Sequence, residues 1–363
     1  MKKFWSFVLS LVLLLLCVPA PAYAAELAAD DLVDYDELTL ALNSAEYLKP
    51  HGVLSDVDFN NIEISGRIKT YDFTDDGIKY NKDFIALKSD GALVAWAIEV
   101  KDGNNVFYQI SPVYVAEVNQ VTSEKTEFAL IYDHDACYLY DGATLYKLGD
   151  ISTEIEYRAT ITSIDDVTSG SQIELNNMQD ASSFVYTSLP TSRTPVYYEC
   201  NIKFVSQNPP SMLCWAASVA CITNYKMGTT FTAENIAEKY YGSPNYNKNA
   251  GIPSAKITSL YQNTCGLAYT YQVPENIIFK NIINDFPLCG SFEGKITIGG
   301  NTYVGWHDTV VYGVNLTSGY IYIMDPNSGF CTCKSTGSTY TYTSTYDNAT
   351  YTLKGGACRY WAG

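Results

Sequence analysis

The sequence predicts an α+β protein in two parts: a β-rich α+β segment, then a segment in which helices come first and an antiparallel sheet second. Three observations predict it. Residues 25–190 carry 30 Asp+Glu against 10 Lys+Arg, whereas residues 191–363 carry 9 against 11. Cysteine divides at the same place, with Cys137 alone in the first part and eight in the second. Asp-Gly turns punctuate the first part, and helical stretches stopped by glycine open the second. With 363 residues, 47% hydrophobic and 17% charged, the chain can bury one large core or two medium ones and is too apolar to be disordered. The net charge of -16 resides in the first part, and neither part has the basic composition of a nucleic-acid binder.

Lys2 and Lys3 precede an apolar run from Phe7 to Val18, and Ala22-Tyr23-Ala24 supplies the small residues of a signal-peptidase site. Residues 1–24 are therefore expected to be a signal peptide cut after Ala24, and the mature protein to be secreted. The run is shorter than the roughly 20 residues that span a bilayer, and no second one follows, so no membrane span is expected. Nine cysteines remain after cleavage, in a compartment where thiols tend to pair. Nine is odd, and a reactive nucleophile is a good reason for one to stay single.

Residues 36–48 read as an acidic helix that ends before Pro50. Apolar, β-branched runs follow at residues 64–71, 84–87, 92–98 and 128–132. The pairs Asp76-Gly77, Asp90-Gly91, Asp102-Gly103 and Asp141-Gly142 separate them as hairpin turns. A mostly antiparallel sheet with one or two helices fits, within an acidic domain spanning 25–187. Residues 188–196, around Arg193 and Pro195, read as a linker. The second domain is expected over 197–363. Its helices fall at 213–227, 232–241, 253–262 and 274–286, the first two closed by Gly228 and Gly242. Strands follow at 295–298, 309–314 and 320–324. The stretch 338–353, where tyrosine returns every few residues, alternates as exposed strands do.

The three histidines narrow the chemistry. His51 at a helix end and His134 in the turn Asp133-His134-Asp135 are expected at the surface, whereas His307 leads straight into a strand. Cys214 opens an apolar helix, where the helix dipole and unpaired N–H groups favour thiolate. If the turn from Asn315 to Gly319 centres on Thr317, His307 lies opposite Asn327 and diagonal to Asp325, all on one strand face. Either Asp325 or Asn327 could accept the imidazole Nδ1–H and fix its tautomer, while Asp308 points to the other face. No H-E-x-x-H, P-loop, G-x-G-x-x-G or G-x-S-x-G pattern occurs. Cys331-Thr332-Cys333 reads as half-cystines, so neither metal nor cofactor is expected.

Taken together, Gln207 ahead of Cys214-Trp215-Ala216-Ala217-Ser218, then Gly305-Trp306-His307, then Asp325-Pro326-Asn327-Ser328-Gly329, resembles the papain-like cysteine peptidases. The similarity is strongest to the compact bacterial branch that includes secreted avirulence effector peptidases and bacteriocin leader peptidases, over residues of about 195–363. The resemblance implies a papain-like domain acting on a protein or peptide substrate. It implies Cys214 as nucleophile, His307 as general base and acid, Asp325 as the orienting residue and Gln207 as an oxyanion donor. Departures exist. Ser211 stands where plant and lysosomal papains have a further cysteine, and Cys214 and His307 are 93 residues apart rather than roughly 130–150. Gln207 precedes Cys214 by one residue more than usual, which a bulge at Pro209-Pro210 would absorb. Two other readings use the same residues: an acyltransferase of the transglutaminase kind, and a non-catalytic surface-binding protein. The acidic part is expected either as a pro-domain that inhibits the peptidase until it is cut away near Arg193, or as an attached accessory domain.

Overall fold

The computed structural model describes residues 33–148 and 197–359, apart from 75–76, 103–104, 123–127, 134–135, 142–143, 210, 250, 253, 299–300 and 338. The signal peptide, the linker and His134 lie outside the described residues. Helix α1 (Tyr35–Glu46) buries Leu38, Ala41, Leu42 and Ala45, the spacing of one helix face. Strands β1 (Glu63–Thr74), β2 (Gly77–Ser89), β3 (Ala92–Asp102) and β4 (Asn105–Ser111) form a meander. Helix α2 (Val115–Thr122) follows, then β5 (Ala129–Asp133), β6 (Ala136–Tyr140) and β7 (Leu145–Lys147). They make a seven-stranded sheet in the order β4-β3-β2-β1-β5-β6-β7, antiparallel except between β1 and β5. Asp90 and Gly91 both take left-handed φ, 51° and 79°, the two-residue turn that matches strand twist. Trp96 is fully buried on this sheet and donates its indole N–H to the Val113 carbonyl at 2.8 Å.

The second part begins with β8 (Tyr197–Glu199), followed by α3 (Cys214–Met227), α4 (Ala233–Tyr241) and α5 (Ser254–Cys265). After β9 (Ala268–Thr270) and α6 (Glu275–Ile283) come β10 (Leu288–Ile298), β11 (Asn301–Asn315) and β12 (Tyr320–Asp325). The last strands are β13 (Gly329–Ser335), β14 (Tyr340–Thr343) and β15 (Thr350–Cys358). Strands β10 to β15 are antiparallel neighbours in chain order, and β10 also pairs β15, so the sheet closes into a ring. Closure brings β15 so near β10 that a Cβ on Gly356 would lie 2.2 Å from the Cys289 carbonyl oxygen. Helix α3 is apolar on almost every side and is buried from Trp215 to Thr223 between α4, α5 and strands β10 and β11. Gly228 ends it with a left-handed φ of 65° and an N–H to the Asn224 carbonyl at 2.9 Å.

From Asp36 onward the chain is one compact unit. The two sheets meet through buried polar contacts. Gln109 accepts from Thr343 N at 2.8 Å and donates to Thr343 O at 2.9 Å, as a strand would. Tyr320 donates to the Tyr108 carbonyl at 3.0 Å, and Lys82 donates to the hydroxyls of Thr343 and Thr350 at 3.2 and 3.1 Å. His51 departs from the surface expectation: its ring is stacked on Phe330 and its Nε2 lies 3.1 Å from Glu199, leaving the side chain 6% exposed. The expected disulfides depart too, for none is formed among the described residues. Cys331 and Cys333 share one face of β13 and are buried opposite Ile323 and Ile321, where they pack as small apolar side chains. Cys137 lies fully buried in the core of the first sheet and tethers nothing to the second.

Candidate active site

Cys214 is the first residue of α3. Leu213, at the N-cap, offers no side-chain acceptor, so the first-turn N–H groups remain open beside the thiol. His307 lies on β11 and Asp325 ends β12. Their hairpin pairs Val310 with Met324, which centres it on Thr317, and Asn315 Oδ1 fixes the turn by accepting from Thr317 N and Ser318 N at 3.0 Å each. A bulge at Tyr312 lies between the turn and His307. The register carries His307 to Asp325, with Nε2 and Oδ1 2.8 Å apart. The nitrogen differs from the expectation, which placed Nδ1 on the carboxylate. Turning Nε2 inward leaves Nδ1 for Cys214, which lines the same cleft and helps to hold the ring protonated. Asn327 does not take this place: its backbone N–H donates to Asp325 Oδ1 at 2.8 Å, and its own Oδ1 is buried without a partner.

Asp325 is fully buried. Besides His307 it accepts from Asn327 N, from Ser328 N at 3.3 Å, and through Oδ2 from the Tyr342 hydroxyl at 3.0 Å. Burial alone would raise its pKa, but the charge of His307 and these donors hold the carboxyl below its ordinary value. Burial would likewise push His307 down, but Asp325 and Cys214 outweigh it and hold the imidazolium well above its ordinary range. Burial raises the thiols of Cys137, Cys200, Cys221, Cys265, Cys289, Cys331 and Cys333. The partly exposed Cys214 is the cysteine in contact with an imidazole.

Gln207 lines the same cleft as Cys214. Its backbone N–H donates to the Pro326 carbonyl at 3.2 Å, which ties it to the loop after Asp325. Its Nε2 donates to the Ser211 carbonyl, one of two N–H groups on that nitrogen, and Oε1 is buried without a partner. The added residue before Cys214 falls in a turn where Asn208 takes a φ of 56° and its carbonyl accepts from Ser211 N at 3.3 Å.

Three contributors were missed by sequence reasoning. Ser218, one helical turn past Cys214, donates to the Asp308 carbonyl at 3.1 Å and so fixes the spacing between nucleophile helix and histidine strand. Asp308 itself points away from the imidazole, as expected, and accepts from Ser291 at 2.5 Å. Tyr342 on β14 and Tyr351 on β15 stack with centroids 5.6 Å apart, and Tyr351 lies 5.6 Å from the His307 ring. Their signal was the tyrosine alternation of residues 338–353, read as exposed strands; instead β14 is buried along its length and Tyr340, Tyr342 and Tyr351 all face the interior. The cleft, of about 900 Å³, is bounded by Met212, Trp306 and Tyr351 and also by residues of the first sheet. Among the described residues no group of His, Cys, Asp or Glu could hold a metal ion, and no helix is long and apolar enough to cross a membrane.

Residues 194–347 match the family described as the papain-like cysteine protease AvrRpt2. The match covers less than half of the chain, and over those residues it supports a papain-like cysteine peptidase, a hydrolase, with protein as the implied class of substrate. The first sheet lies outside the match. No curated protein matches the chain.

Proposed function

We propose that the protein is a secreted cysteine endopeptidase working through a Cys214–His307–Asp325 triad and an acyl-thioester. The observation that carries this is the relay itself: a helix-start thiol against one side of an imidazole whose other nitrogen is 2.8 Å from a buried carboxylate. Cys214 Sγ adds to the scissile carbonyl carbon while His307 holds the thiol proton. The C–N bond then breaks as His307 gives that proton to the leaving amine. Water adds to the thioester, giving its proton to His307, and the C–S bond breaks to free the acid and restore the thiol. The negative oxygen formed in each addition is met by the Cys214 N–H and by Gln207, a contribution of roughly 10²–10³ in rate for a side-chain donor. Asp325 keeps Nδ1 facing the thiol and stabilises imidazolium. Secretion rests on the basic, apolar and Ala-Tyr-Ala segments of residues 1–24.

Iodoacetamide labelling with peptide mapping tests the reading. Cys214 is expected to take the label first and Cys214→Ala to lose peptide hydrolysis. Preferential labelling elsewhere, or hydrolysis by the variant at the wild-type rate, would sink it. Adding an amine acceptor and finding conjugates instead of free acid would assign acyl transfer.

A further inference from the structure

The cleft beside Cys214 has a wall that belongs to the first sheet. Asp72 and Phe73 of β1 and Asn81 and Lys82 of β2 line it, opposite in sequence to Asp347 and Asn348 in the loop between β14 and β15. The junction is stitched by Lys82 on the Thr343 and Thr350 hydroxyls and by Asn348 Nδ2 on Thr70 Oγ1 at 3.0 Å.

Charge at this junction does not balance. Asp72 and Asp347 both act on the single ammonium of Lys82, yet that ammonium donates to the hydroxyls of Thr343 and Thr350. Asp72 is met by one donor nitrogen, Asn81 Nδ2, at 3.0 and 2.8 Å from its two oxygens. Asp347 accepts from Ala349 N at 3.0 Å and from the Tyr351 hydroxyl at 2.7 Å. Lys295, the other ammonium lining the cleft, is exposed, so water screens it. Between the carboxylates' elements sits Asn348, 1% exposed, with an Oδ1 that has no hydrogen-bond partner. A buried acceptor left unpaired is destabilising, and a bound donor would satisfy it.

Two carboxylates share one pinned ammonium, and the other cation that acts on Asp347, the His307 imidazolium, is already paired with Asp325, so one positive charge and, at the Asn348 amide oxygen, one donor are wanting. We propose that Asp72, Asp347 and Asn348 form a specificity subsite for a cationic side chain, lysine or arginine, of the peptide substrate. Phe73 and Trp306 supply apolar surface in the same cleft for its methylene stem. The first sheet is then a lasting part of the substrate site and not only a cover. This proposal rests on the peptidase reading.

The test uses the full chain and peptides that differ only by arginine against citrulline, its neutral near-isostere, scanned through positions on both sides of the scissile bond. At one position kcat/KM is expected to favour arginine by about tenfold, roughly the effect of 1.4 kcal/mol. Asp72→Asn is expected to bring that ratio close to unity, and Asp347→Asn, the second variant, to lower it as well. Iodoacetamide labelling of Cys214 shows that each variant keeps a folded site. Equal rates at every position, or a ratio that neither substitution moves, overturns the subsite. Hydrolysis of the citrulline peptides in that case leaves the peptidase reading standing, whereas hydrolysis of no peptide overturns both.

Discussion

Replacing Asp325 with asparagine keeps the shape of the side chain and removes its charge. The carboxylate accepts from His307 at 2.8 Å, Asn327 N at 2.8 Å, Ser328 N at 3.3 Å and Tyr342 at 3.0 Å, with no exposure to solvent. An asparagine Oδ1 can stay on His307 and the two backbone N–H groups, and its NH2 then meets the Tyr342 hydroxyl, which can rotate to accept. Geometry survives, so the loss measures the charge opposite the imidazolium. Breaking a buried pair by removing one charge costs about 3–5 kcal/mol, and the asparagine keeps the hydrogen bonds of the carboxylate, so we take the lower end. A cost of about 3 kcal/mol is roughly 10² in kcat/KM. The pH profile supplies the sign. Asp325 holds His307 up against burial, so without it the imidazolium is lost at lower pH and the alkaline limb of kcat/KM moves toward acid. Peptide hydrolysis followed from neutral into alkaline buffer reads both quantities. A rate within threefold of wild type, or an alkaline limb that stays in place, would refute the reasoning.

Tyr342→Phe removes one donor from a buried carboxylate and is expected to lower unfolding free energy by about 1.5–3 kcal/mol in urea titration. Unchanged stability would mean that Asp325 is neutral in the fold. Gln109→Leu leaves the Thr343 N–H and carbonyl buried without partners and is expected to cost about 2–5 kcal/mol; a loss under about 0.5 kcal/mol would show that the sheets do not depend on it. Lys82 is pushed down by burial from 10.5 to about 8. Between these values the unfolded chain holds a proton that the folded chain has released, so stability rises with pH there. Lys82→Met is expected to flatten that rise in thermal midpoints, and an identical pH dependence in both proteins would contradict it.

The legible parts of the fold were those set by local chemistry. Asp90-Gly91 can hardly do anything but turn, and Gly228 and Gly242 stop their helices with left-handed φ. The meeting of His307 and Asp325 was legible for the same reason, since a hairpin centred on Thr317 fixes which residues of two strands can meet. Which imidazole nitrogen faces the carboxylate was not, because it depends on the χ angles of His307 within a ring closed by β10 and β15, a pairing between distant segments. Tyr342 and Ser218 were hidden similarly: each acts across the fold on a partner 17 or 90 residues away. His51 looked exposed from its place after Pro50 and is instead clamped by Phe330 and Glu199. The cysteines misled because compartment chemistry says nothing of packing. Cys331 and Cys333 leave one strand on the same face, into an apolar core that accepts a thiol as readily as an alanine.

The junction also bears on the fate of the acidic part. A segment made to leave after cleavage should present a surface that water can take back cheaply. Here the surface includes Gln109 pairing both backbone groups of Thr343, Asn348 on Thr70, Tyr320 on the Tyr108 carbonyl and Lys82 on two threonines, mostly neutral donors and acceptors with little charge for salt to screen. One ion pair, Lys334 with Glu37 at 3.2 Å, and the His51–Glu199 hydrogen bond at 3.1 Å add to the same unit. The net charge of the acidic part therefore has little share in holding it. Cutting the linker at Arg193 should leave the two parts together on size exclusion, in high salt as in low, with the arginine preference of the cleft intact. Separation of the parts in native buffer after the cut, with hydrolysis rising, would instead identify a pro-domain and remove the wall from the substrate site.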